Sequence, residues 1–371
     1  MSKIVDIEPY VIPYTEANDH DSTRWSCYVR VETSDGVVGW GEAATIFESA
    51  ARATAAIVDV WHASVTGLAA EPHAVTRTIE EFGWWYADSG IGRFALSAID
   101  IAVWDAWLRE RGQDLGSALG AGDRELPVLL SVHATRSDLA TMAEEIASRV
   151  REIRAIGVKV AFGKRGDAGL GVDLDRDVRF LQLLRSALGA DARIMVDIAA
   201  TLRWSVDDAI ARVRAYEESG IFWIEEPLGA DDPQGYRALQ AAATCAIAYG
   251  EREWSPLGYR RLLDTGTVDV VGIDPGRIGG ITAFREASAL VQTRGAQGNA
   301  HAFAGPLLLA AAIPLSAASP AFHQLEIPPH RNTLYNLVRS VPALESGMIS
   351  ALASPGLGVE VDEDAVRAAA C

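Results

Sequence analysis

From residue 126 onward the chain repeats one unit, a short apolar run followed by a polar break and an amphipathic stretch of helical length. The runs are PVLLSV (127–132), GVKVAF (157–162), ARIMVD (192–197), IFWIE (221–225), AIAYGE (246–251), VDVVGI (268–273), AQGNAH (296–301) and HQLEI (323–327). Helical stretches such as DLATMAEEIASRVREIRAIG and SVDDAIARVRAYEESG lie between them. Short, mostly apolar strands separated by helices belong to parallel sheets covered on both faces, and eight at this spacing fit a closed parallel barrel better than an open doubly wound sheet, the alternative.

The part before the repeat has another rhythm. IVDIEPYVI and CYVRVETSDGVVGWGEA alternate as strands do, with SDG as a tight turn, and predict a small antiparallel sheet. From Thr45 to about Leu119 the pattern turns helical, with the apolar FALSAIDIAVWDAWLRERG closed by Gly112. The first third is therefore an α+β unit. Without a low-complexity linker between the two parts, they are expected to pack together. The tail's GLGVEV reads as one more strand, returning to the first unit.

Charge and cysteine usage narrow the function. A net charge of -17 repels nucleic acid and anionic membrane, so an anionic substrate needs a locally positive pocket. Cys27, Cys245 and Cys371 are scattered and lack metal or disulfide spacing, which fits a reducing cytoplasm. Neither an export signal nor a membrane span is read from the sequence.

In a parallel barrel the chemistry sits at the carboxyl ends of the strands. Three consecutive strands end in Asp197, Glu225 and Glu251. Hard oxygen donors on neighbouring strand ends suit Mg2+, and they explain why WIEEPL crowds Glu225 beside Glu226 at a buried strand end. Glu226 is not counted as a ligand, because adjacent strand residues point to opposite sides, and is expected to bond a neighbouring cation. The next two strands end in Asp274 and His301, a carboxylate that orients an imidazole as a proton shuttle. Lys159 points inward from the second strand, placed to bind or polarise a substrate carboxylate or to pair with one of the acids.

In this order the motifs GWGEA, SAIDIAVWD, VDIAAT, WIEEPL, GERE, DPGRIGGIT, NAHAF and GLGVEV resemble the enolase superfamily, mandelate racemase subgroup, over essentially the whole chain. The resemblance implies an α/β fold, a modified TIM barrel (β/α)7β with an α+β capping domain. The expected division is capping domain 1–125, barrel 126–345 and a tail 346–371 that returns to the cap. It also implies Mg2+ on Asp197, Glu225 and Glu251, an Asp274–His301 dyad as general base, and Glu326 as a donor to the substrate carboxylate. Such enzymes use a Lys or His base with Mg2+ to stabilise an ene-diolate. Members are often homo-oligomers.

Two departures shape the expected reaction. The subgroup's Lys-x-Lys run is here Lys159-Val160-Ala161-Phe162-Gly163, so Ala161 stands where a second base would be, with Lys164 just beyond. Ala199 replaces a frequent substrate-contacting Asn. Racemisation or epimerisation needs a group on each face of the carbon, whereas dehydration needs one. The expectation is an acid-sugar dehydratase in which His301 removes the proton next to the carboxylate and then protonates the departing β-hydroxyl. A cycloisomerase of a sugar lactone or anhydro sugar acid is the near alternative, an epimerase the next, and a non-catalytic metal-binding relative the reading from another class. Substrate contacts are expected from Lys164, from His20 and Arg24 on a polar lid (14–25), and from His133 and Arg277. FGWWYADSGIGRF (82–94) is a second candidate lid, and His62, His73 and His330 have no such placement.

Overall fold

The computed structural model describes residues 1–198 and 202–371. Strands β1 (Ile4–Glu16), β2 (Ser22–Thr33) and β3 (Val38–Ile46) form an antiparallel sheet in sequence order. Helices α1 (Glu48–Val65) and α3 (Gly90–Glu110) pack on it, and α2 (Pro72–Phe82) packs on these two helices. The longest, α3, is apolar almost all round because it is buried on both sides, by the sheet and by the barrel.

The barrel follows in strands β4 (Leu126–His133), β5 (Gly157–Ala161), β6 (Arg193–Asp197), β7 (Trp223–Glu225), β8 (Ala246–Tyr249), β9 (Val270–Ile273), β10 (Gln297–Ala300) and β11 (Leu325–Ile327). Each pairs in parallel with the next from β4 to β10, and β11 pairs in parallel with β4. A bridge between Gly298 and Phe322 closes the ring beside β10. Helices connect the strands and, among the described residues, no α-helix but only the 3-10 turn Thr333–Leu337 follows β11 before the tail, which gives the (β/α)7β order. Most strands are shorter than their apolar runs, so Glu251 and His301 lie just beyond β8 and β10.

Cap and barrel are joined by buried polar contacts as well as apolar ones. Asp100 on α3 accepts Thr282 N at 3.0 Å and Thr76 Oγ1 at 2.8 Å. Gly280 in the IGGIT motif has φ +81, and a Cβ there would lie 2.2 Å from Asp100 Oδ1, so only glycine admits this approach.

Two expectations are corrected. GLGVEV forms single bridges, Gly356 to Asp114 and Val361 to Val338, rather than a strand. Gly356 and Gly358 adopt φ of 79 and 77, which breaks an extended pleat. The segment does return to the cap, where Asp105 Oδ1 accepts Leu357 N at 2.8 Å. Ahead of it, β12 (Leu344–Glu345) and β13 (Met348–Ile349) form a hairpin that pairs with β4 instead. The polar segment 14–25 is mostly the continuation of β1 and β2, and only its tip, Ala17–Asp19 with His20 and Asp21, is a turn. Ladder hydrogen bonds reach from Ile4 to Glu16, so the segment is a braced hairpin over the barrel mouth rather than a free loop.

Candidate active site

The acidic strand ends meet where the register puts them. Ala161, Asp197, Glu225 and Ala248 are successive partners across β5 to β8. Glu225 and Glu326 are almost wholly buried, as is Lys159 between them. Lys159 Nζ lies 2.9 Å from Glu225 Oε2, 3.0 Å from Glu326 Oε1 and 3.5 Å from Asp197 Oδ2. Burial opposes charging this lysine, and the surrounding carboxylates more than restore it. Burial pushes Glu225 well above the ordinary carboxylate range; Lys159 pulls it down, and Asp197 and Glu251 push it further up.

Among the described residues no three His, Cys, Asp or Glu side chains converge as a ready-made metal cluster. Lys159 pairs with Asp197 and Glu225, while Glu251 Oε2 lies 3.5 Å from His301 Nε2. The donor set nevertheless fits a hard divalent cation. Glu225 Oε2 is buried within Lys159's charge but receives no directed hydrogen bond. A lysine cannot neutralise this many adjacent acids, whereas a divalent ion with oxygen ligands can.

Glu226 shows how the crowded pair is separated. Its φ of 47 is left-handed, an unusual backbone for a side chain this large. The turn sends its carboxylate to Arg252 Nε, 2.9 Å from Oε2 and 3.0 Å from Oε1.

Opposite the acids, Asp274 directly follows β9 and caps the short helix Pro275–Ile278, its Oδ1 accepting Gly276 N at 2.7 Å. Its Oδ2 lies 2.8 Å from His301 Nδ1. An ionised carboxylate only accepts, so the ring proton stays on Nδ1 and Nε2 is left as the working atom. Burial works against charging His301, but Glu251 and the Asp274 hydrogen bond outweigh it and push the imidazole up to about 9.

Glu326 accepts Asn299 Nδ2 at 2.9 Å. Burial raises its pKa, yet Lys159, His301, Asn299 and Ser131 together hold it below the usual range. In this state it is an acceptor, and donating to a substrate carboxylate requires that it first take up a proton.

Lys159, Asp197, Glu251, Asp274, His301 and Glu326 line one cavity of about 140 Å³ at the barrel mouth, together with Arg24, Ser131, His133, Lys164, Arg277 and Phe303. A larger groove of about 650 Å³ shares His133 but runs outward between the hairpin tip and the helix Leu139–Ile153, away from the acidic cluster. His20 is exposed, its Nε2 lies 3.1 Å from Arg165 O, and it lines that outer groove instead of the inner cavity. Arg277 reaches the cavity but stacks 4.0 Å over the Trp254 ring. Arg24 is held by Asp19 at 3.2 Å. Burial, then the charges of Lys164 and Arg24, push His133 down to about 3, so its ring is neutral. The second candidate lid does not line the cavity; Trp84 and Trp85 are exposed, and Tyr86 Oη accepts Trp61 Nε1 at 2.8 Å. Ala199 lies outside the described residues.

Ser131 and Phe303, which line the cavity, and Asn299, which bonds Glu326, escaped the sequence reading. Ser131 shares a strand face with His133, and Asn299 shares one with His301, so the two-residue period signals both. Phe303 stands between two imidazoles, 5.8 Å from His301 and 6.4 Å from His133, and nothing in the sequence marks it.

Residues 3–120 match the family model described as mandelate racemase / muconate lactonizing enzyme, N-terminal domain, and residues 141–365 the one described as enolase C-terminal domain-like. The chain is 29% identical to D-gluconate dehydratase of Thermoproteus tenax over 98% of its own length and 73% of that protein's. It is 27% identical to D-galactarolactone cycloisomerase of Agrobacterium fabrum, covering 95% of this chain and 93% of the relative. Its fold superposes on the crystal structure of the 3,6-anhydro-D-galactonate cycloisomerase from Zobellia galactanivorans with a TM-score of 0.89 at 27% identity, over 100% of this chain and 99% of that one.

Proposed function

The chain belongs to the mandelate racemase / muconate lactonizing enzyme family of the enolase superfamily, and on that premise we propose that it is a Mg2+-dependent acid-sugar dehydratase with His301 as its single acid/base. The observation that carries this reading is the Asp274–His301 pair facing the cavity while β5 offers Ala161 at the level of Asp197. One wall carries a base; the matching position on β5 carries a methyl group.

Asp197, Glu225 and Glu251 would hold Mg2+, which when bound supplies positive charge against the dianion that forms as the α-proton leaves. The remaining work falls to the chain. Lys159 and Glu326 sit where the substrate carboxylate must dock, Lys159 as a fixed cation and Glu326 as an acid once an anion beside it favours protonation. Nε2 of His301 takes the proton from the carbon next to the carboxylate. Asp274 stabilises the resulting imidazolium and holds the ring to one tautomer, as an orienting carboxylate does in a catalytic triad. The same Nε2–H then protonates the β-hydroxyl, the C–O bond breaks, water departs, and the enol becomes a 2-keto-3-deoxy acid. Glu251, once engaged as a ligand, no longer holds His301 so far up, which brings it toward the range where it can both take and return a proton near neutral pH.

A sugar-acid cycloisomerase is the second reading, supported by the two cycloisomerase relatives. It uses the same proton abstraction and differs in the leaving oxygen. The test is incubation with Mg2+ in D2O against pooled sugar acids and their lactones, read by mass. Loss of water, abolished in His301→Asn, supports the dehydratase. An isomer from a lactone, with or without deuterium, favours the cycloisomerase, and deuterium gain by an open-chain acid without water loss would replace both with epimerisation. A further division of the chain into a cap (1–125), a barrel (126–345) and a tail (346–371), and its assembly as a homo-oligomer, belong to the same proposal.

A further inference from the structure

Past His301 the backbone leaves the ladder of the barrel, and side chains take over its support. The His301 amide still donates to Ile273 O at 2.9 Å, and the next helix starts at Pro306. Between them run residues 302–304, buried yet without regular structure. Asn332 Nδ2 donates to Ala304 O at 2.7 Å, while Asn332 Oδ1 accepts Leu334 N at 3.1 Å. One amide side chain thus ties the stretch after β10 to the stretch after β11.

Phe303 stands on this stretch with its ring close to parallel to both neighbours, at 25° to His301 and 8° to His133. The hairpin secures the far side of the stack. His133 N donates to Asn18 Oδ1 at 3.2 Å, and Asn18 Nδ2 donates to Ser131 O at 3.4 Å. The two asparagines meet at Glu16, whose Oε1 accepts Asn18 N at 3.1 Å and whose Oε2 lies 3.5 Å from Asn332 Nδ2. Alongside, Thr15 N donates to Thr333 Oγ1 at 3.0 Å.

Glu16 and Asn332 are both buried, where an apolar pair of the same volume would cost less to desolvate. What the polar bridge adds is direction. It closes only when the hairpin tip, the end of β4 and the stretch after β10 stand in one arrangement. Glu16, Asn18 and Asn332 do not line the inner cavity, so their effect reaches a substrate through His301, Phe303 and His133.

Resting on the reading of His301 as the base, we propose that Asn332 is a positioning residue of the reaction: with Glu16 and Asn18 it locks the hairpin tip to the Phe303 stretch and so sets where the His301 ring stands over the cavity. Asp274 fixes the edge of that ring, and Asn332 acts on its face and backbone through Phe303 and Ala304.

The test sets Asn332→Ala and Asn332→Asp against the parent, each as the full chain with Mg2+. Hydrogen exchange read by mass spectrometry reports the bridge without a substrate. Both variants should speed amide exchange in 302–305 and in 16–20 together by about tenfold, the worth of one buried hydrogen bond, with β6 and β7 unchanged. On the acid that turns over in the pooled assay, kcat should fall by at least about tenfold with KM within about threefold, because the base is displaced and no substrate contact is removed. Adding Glu16→Gln to Asn332→Asp removes the like charge and returns a donor between the two side chains, so the melting temperature should recover; kcat should not, since Ala304 O still faces an acceptor. Recovery of kcat along with stability would assign the effect to general folding and overturn the inference. Exchange that rises evenly over the chain overturns it too, as does a local rise with kcat unchanged. The exchange needs no substrate, so an unmoved 302–305 overturns the inference even where no acid in the pools is turned over. His301→Asn turning over as fast as the parent would instead sink the base reading on which the role rests, and exchange would then still judge the bridge by itself.

Discussion

His301 Nδ1 lies 2.8 Å from Asp274 Oδ2, and the other oxygen of that carboxylate is fixed by the Gly276 amide at 2.7 Å. The aspartate is thus held at both oxygens, one on the helix start and one on the imidazole, which aims Nε2 without freedom to rotate. Asp274→Asn keeps the shape but offers an amide N–H or a weaker acceptor to Nδ1, so the working tautomer is lost. The turnover rate should fall by about 10²- to 10⁴-fold with little change in melting temperature. Steady-state kinetics and a thermal melt on the same preparation check both halves; an unchanged rate would remove Asp274 from the mechanism.

Lys159 neutralises acids that burial alone would leave unpaired. Lys159→Met removes that charge and retains most of the volume, leaving Glu225 and Glu326 without their cation. Loss of about 3–5 kcal/mol is expected in chelator, the cost of stranding buried charge. Added Mg2+ should recover part of it, because it supplies a cation to the same cluster. Denaturant melts with and without Mg2+ decide this, and equal loss in both would place the ion elsewhere.

Mg2+ binding to the folded state should itself raise the melting temperature of the unsubstituted protein in a concentration-dependent way. Asp197→Asn and Glu225→Gln should each flatten that dependence. Glu226→Gln should leave it nearly intact, since Glu226 is turned to Arg252. A Glu226 variant that lost the response as fully as the others would require a different ligand set.

Glu42 on β3 is wholly buried and accepts Ser26 Oγ at 3.1 Å and Leu308 N at 3.3 Å, tying the cap to a barrel helix. Burial is the main cause that pushes its carboxyl up to about 8. The folded state therefore keeps a proton that the unfolded chain releases near pH 4.5. The stability from this group is full below that pH and declines as pH rises toward 8. Glu42→Gln is neutral throughout, so its melting temperature relative to the parent should increase from pH 5 to pH 9. Parallel pH curves for the two proteins would contradict the assignment.

How much of this was legible follows from periodicity. The inward residues of β4 to β11 obey a two-residue alternation and end at one face, so Asp197, Glu225, Glu251, Asp274 and His301 were readable from strand order alone. That most of the segment 14–25 belongs to β1 and β2 was not legible, because TEANDHDST is polar throughout and polarity does not distinguish the end of a hairpin from a loop between strands. GLGVEV alternates like a strand, yet glycine permits the positive φ that two of its residues adopt. His20 and Arg24 were indistinguishable in sequence; the hairpin's geometry sends one out to Arg165 and the other into the cavity.

The sequence by itself determined the barrel, the acidic strand ends and the His–Asp pair, because these depend on local periodicity and on chain order. Only the tertiary structure decided how charge is shared among them. That Lys159 holds three carboxylates, that Phe303 separates two histidines, and that Lys164 joins the lining of the cavity depend on distances between strands far apart in sequence. Electrostatic energy varies with separation and burial, and neither is set until the ring of strands has closed.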